Sequence, residues 1–126
     1  MNTNENRSTK SASDLDNPCF GHDSTIAALN VFADDEHGYL LPYAQFLYAE
    51  RTVNPALERE PDAPPETLVI RFAVAKVVVL GAGLKAIEHQ LQKYRLQFVK
   101  SSDPRYAATL KAHVTAISIT FTKEVA

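Results

Sequence analysis

The stretch Val77-Val78-Val79-Leu80-Gly81-Ala82-Gly83-Leu84-Lys85-Ala86 changes character at its glycines. Val77–Leu80 is apolar at every position, the pattern of a strand buried on both faces and therefore central to its sheet. From Leu84 the period becomes helical. Leu84, Ile87, Leu91 and Tyr94 fall on one stripe, while Lys85, Glu88, His89, Gln92 and Lys93 face away from it. A strand thus turns into an amphipathic helix at Gly81–Gly83, and the rest of the chain is placed around that corner.

Upstream, Leu68, Ile70, Phe72 and Val74 alternate with Val69, Arg71 and Ala73. Thr67–Leu80 is therefore either one long bent strand or two strands folded near Ala73–Lys76 without a glycine. Asn54–Glu66 (NPALEREPDAPPE) holds four of the seven prolines, with three Glu and one Asp against a single Arg. It reads as an exposed acidic loop, and its Pro61/Pro64 PxxP spacing as part of that solvated connector. Pro42–Val53 fits a helix with Pro at its first position, or a strand with Phe46 and Tyr48 on one face. The sheet-like segments on both sides favour the strand. Ile26–Ala33 and Tyr39–Leu41 flank a polar turn, Asp34–Gly38, and predict a hairpin.

Downstream come a short strand at Leu96–Val99 and a Ser102-Asp103-Pro104 cap opening a short helix over Arg105–Leu110. His113–Thr122 closes the domain as a strand, with Ile117, Ile119 and Phe121 inward. Residues 1–24 are rich in Asn, Ser, Thr and Asp, with almost nothing large and apolar before Cys19 and Phe20. They are expected to form a disordered tail to a single domain over 25–126. The expected fold is α+β: a small, mainly antiparallel sheet with one principal amphipathic helix packed on it.

Val77–Ala86 also resembles the strand–GxGxx(G/A)–helix fingerprint of Rossmann-type NAD(P) and FAD enzymes, over about 25 residues from Lys76 to Lys100. The resemblance implies a nucleotide site with Gly81, Gly83 and Ala86 as the phosphate-loop positions and Asp103 near the place of the ribose-binding acid. The remaining chain argues for a different setting. Only 43 residues follow Gly83, too few for the repeated parallel βαβ units of that family. The upstream segments are joined by a turn and a proline loop, which suit antiparallel neighbours.

With 126 residues, 22% charged and a net charge of -2, the chain is a one-domain globular protein, and no apolar run is long enough to span a membrane. The polar Met1–Lys10 is unlike a signal peptide, so a cytoplasmic setting is expected. A lone cysteine, Cys19, excludes an internal disulfide. The near-neutral total hides an asymmetry. Residues 1–66 carry four Lys/Arg and twelve Asp/Glu (-8), and residues 67–126 carry nine and three (+6). Acidic and basic halves meeting between subunits would give a homo-oligomer. Lys93, Arg95, Lys100, Arg105 and Lys111, interleaved with Tyr94, Phe98 and Tyr106, would form a nucleic-acid surface if they converged on one face. The acidic total favours ordinary solubilising charge instead.

The four histidines show no metal-ligand spacing, GxSxG is absent, and Glu88 and His89 project about 100° apart on the helix. No catalytic residue, metal or cofactor is therefore expected. The sequence points to a small non-enzymatic binding or regulatory module, with nucleotide binding at Gly81–Ala86 and weak nucleic-acid binding over 93–111 as the alternatives.

Overall fold

The computed structural model describes residues 17–22, 26–33, 37–102 and 110–122. The chain is α+β and mainly antiparallel as expected, but its strands form two four-stranded sheets rather than one. The first sheet contains β1 (Phe20–His22), β2 (Ala28–Phe32), β3 (Gly38–Pro42) and β7 (Leu96–Val99), in the order β1-β7-β2-β3. The second contains β4 (Phe46–Val53), β5 (Glu66–Phe72), β6 (Ala75–Ala82) and β8 (His113–Phe121), in the order β4-β5-β6-β8. The helix α1 (Lys85–Gln92) joins β6 of one sheet to β7 of the other. The β6–α1–β7 segment is thus a passage between sheets, not a parallel crossover within one.

Alternation decides which faces meet. Leu68, Ile70 and Phe72 of β5 and Val77 and Val79 of β6 point inward, and Leu29, Val31, Leu41, Leu96 and Val99 do so from the first sheet. With Leu84, Ile87 and Leu91 they form one buried cluster. Burying each such aliphatic side chain contributes roughly 1.5–3 kcal/mol.

Thr67–Leu80 resolves into a hairpin whose bend, Ala73–Val74, contains no glycine. Its backbone groups are satisfied from outside: Ala73 N–H donates to Gln45 O at 2.8 Å, and Thr122 N–H donates to Val74 O at 2.8 Å. Pro42–Val53 divides into the last residue of β3, a 3-10 turn at Tyr43–Gln45, and β4. The acidic loop is more structured than an extended connector. Asn54 is buried, donates to Pro64 O at 2.7 Å and accepts from Ala56 N–H at 3.1 Å, closing the loop at its base over a 3-10 turn at Pro55–Glu58.

One boundary needs correction. Asn17–His22, read from sequence as tail, belong to the fold. Asn17 Nδ2 donates to Ala112 O at 2.9 Å, Val114 N–H donates to Cys19 Sγ at 3.2 Å, and Lys100 N–H donates to Cys19 O at 2.8 Å. The segment bridges the end of β7 and the start of β8, with Cys19 and Phe20 in the core. Residues 1–16, the turn at 34–36, Asp103 and nearly all of the expected 105–110 helix lie outside the described residues. Among the described residues, no helix is long and apolar enough to cross a membrane.

Candidate functional site

The glycine corner has a packing explanation. A Cβ on Gly81 would lie 2.0 Å from His113 O, and one on Gly83 would lie 1.9 Å from Lys111 O. Gly83 also has φ +66°, which side-chain-bearing residues rarely adopt. The two glycines let the strand end press against the backbone entering β8. The N-terminus of α1 is met by a carboxylate: Glu66 Oε1 accepts the Leu84 N–H at 2.9 Å. A negative group at this position is favoured by the unpaired N–H groups and the helix dipole. Ala86, the third position of the fingerprint, is exposed on the first turn of α1 and faces a cleft shared with Phe20 and His22.

The basic residues are distributed rather than gathered. Lys93 caps the C-terminus of α1 and Arg95 follows it, whereas Lys111 packs its backbone against Gly83 at the opposite end of the helix. The two ends of α1 are separated by roughly 12 Å. Lys100 lies past β7, its ammonium 5.9 Å from the centroid of the Phe98 ring. Arg105 lies outside the described residues. Among the described residues, no three His, Cys, Asp or Glu side chains group as metal ligands.

The residues that do converge are ones the sequence reading did not select. β4 is an edge strand eight residues long that, among the described residues, is hydrogen-bonded on one side only, to β5. Along it Leu47, Tyr48 and Val53 are 60%, 53% and 71% exposed. The strand contains neither Pro nor Lys, the residues that most often protect an open edge. Beside it runs α1, tied to the strand by Arg51 Nε donating to Glu88 Oε1 at 3.0 Å. Between strand and helix lies a groove of about 320 Å³, lined by Phe46, Tyr48 and Ala49 from β4 and by Lys85, His89 and Leu91, among others, from α1.

The groove is set by an aromatic cluster at one end. Phe46 meets Phe72 edge-on with centroids 5.7 Å apart, and Tyr94 at 6.1 Å. Tyr43 stacks on Tyr94 at 5.1 Å and donates its hydroxyl to Leu96 O at 2.7 Å. Burial pushes the Tyr43 phenol well above its ordinary range.

Tyr94 is held in the left-handed region at φ 56°. Its N–H donates to Leu91 O at 3.0 Å and Arg95 N–H donates to Gln90 O at 2.9 Å, the Schellman pattern that usually places glycine here. The ring contacts account for a tyrosine in this position.

No protein-family model, curated protein or solved structure matches the chain.

Proposed function

We propose that the chain is a non-enzymatic binding module that takes an extended segment of a protein partner along β4, against α1. The observation that carries this reading is the open edge of β4, with its exposed Leu47, Tyr48 and Val53, lying beside a groove floored by Phe46, Ala49 and Leu91. An unpaired edge offers a row of N–H and C=O groups that another strand satisfies, and alternate side chains of that strand drop into the adjoining groove. Arg51–Glu88 bridges strand and helix at the rim of the groove.

The test is fluorescence anisotropy with labelled eight-residue peptides of alternating Thr and Val carrying a central Phe. Saturable binding is expected. It should be abolished when the peptide's alternate backbone nitrogens on one edge are methylated, and retained when the other edge is methylated. Binding that ignores the position of methylation would contradict strand addition.

A further inference from the structure

We infer that the outer face of the first sheet is a stacking surface for single-stranded nucleic acid, a second site apart from the β4 edge. Leu29, Val31 and Leu41 point into the core, so alternation sends Asn30, Phe32 and Leu40 to the opposite face. Phe98 joins them, because it lies opposite Asn30 where β7 pairs with β2. Phe32 and Phe98 therefore stand on the two central strands of the sheet, their rings half-buried and meeting edge to face with centroids 6.3 Å apart.

Glycines make room for these rings. Gly21 of β1 lies opposite Phe98, and Gly38 of β3 lies opposite Phe32. A Cβ on Gly21 would strike the Phe98 ring, and one on Gly38 would come within 3.1 Å of Phe32 Cε1. Each ring thus leans across a flanking strand that carries no side chain at that point. Lys100 shares the face, its ammonium 5.9 Å from the Phe98 centroid, and Leu40, opposite Asn30, is 69% exposed. The strands β1, β2, β3 and β7 contain no Asp or Glu. Aromatic rings, an amide and an ammonium on one sheet face match an unpaired nucleotide: the base on a ring, its edge on Asn30 and a phosphate on Lys100. A duplex has no free base faces to offer, and an extended peptide finds no unpaired backbone edge in the middle of a sheet.

The experiment uses the full chain and a labelled octathymidylate, followed by fluorescence anisotropy. Saturable binding is expected. Its salt dependence should be shallow, because one or two phosphates are neutralised: log K should fall with log[salt] at a slope of about −0.7 to −1.4. Phe98→Leu and Phe32→Leu, which keep an apolar cover over the glycines, should each weaken binding by roughly five- to tenfold. Lys100→Gln, a change at an exposed residue, should flatten the slope by about 0.7 while the melting temperature stays that of the wild type. The octathymidylate should also leave the Thr/Val peptide bound at β4. No binding of the oligonucleotide, or binding that keeps its strength in both phenylalanine variants, would overturn the stacking face. Displacement of the oligonucleotide by a neutral hexasaccharide would overturn it in favour of a sugar ligand.

Discussion

Glu66 and Leu84 lie 18 residues apart in sequence, yet the carboxylate of one accepts the backbone N–H of the other at 2.9 Å. The contact joins the first residue of β5 to the start of α1 and places a fixed negative charge at the end of the helix that favours it. Glu66→Ala should therefore lower stability by roughly 1 kcal/mol, and Glu66→Gln by less, in urea titrations at pH 7. The same carboxylate lies where a nucleotide phosphate would rest on the fingerprint Gly81–Ala86. Millimolar NAD, FAD or ATP is accordingly expected to leave the melting temperature of the wild-type protein unchanged.

That contact marks what was legible in the sequence. The strand, the glycine corner and the helix were readable from period alone, because Val77–Leu80 is apolar throughout and Leu84, Ile87 and Leu91 recur at helical spacing. The partition into two sheets was not readable, since alternation reports which face is buried but not which strands pair. The groove was hidden for a related reason. β4 carries apolar residues on both faces, Leu47 and Tyr48 among them, and such a run reads equally as a helix or as a strand until its neighbours are known. Asn17–His22 were misplaced because one short apolar pair, Cys19-Phe20, is too little signal to separate a strand from a polar tail.

Gly81 and Gly83 should tolerate no side chain. A methyl group at either would strike the carbonyl of His113 or of Lys111, and backbone cannot swing aside as a side chain can. Gly81→Ala and Gly83→Ala are each expected to cost more than about 2 kcal/mol in denaturant titrations, irrespective of any ligand.

Tyr94 separates strain from packing. Tyr94→Ala loses the stack on Tyr43 and keeps the unfavourable φ of 56°, whereas Tyr94→Gly loses the stack and relieves the backbone. The alanine variant should be the less stable of the two by about 1 kcal/mol. The comparison of the two melting curves at equal pH reads this difference directly.

Tyr43 predicts an alkaline dependence. Its phenol is neutral and hydrogen-bonded in the fold, with its pKa raised by burial, while in the unfolded chain a tyrosine ionises near pH 10. Its stabilising contribution is therefore complete below about pH 10 and declines as the pH rises above that value. Tyr43→Phe should lose roughly 1–2 kcal/mol at pH 7, because Leu96 O is left without its partner. It should also lose less further stability than the wild type between about pH 10 and 11.

The open edge of β4 is the feature on which the functional reading stands, and amide hydrogen exchange reports on it residue by residue. With a saturating peptide of alternating Thr and Val carrying a central Phe present, exchange of the backbone amides of β4 (Phe46–Val53) should slow, and that of the outward-facing edge of β8 should not. Peptide binding that leaves β4 exchange unchanged, or that protects a different edge, would contradict the account.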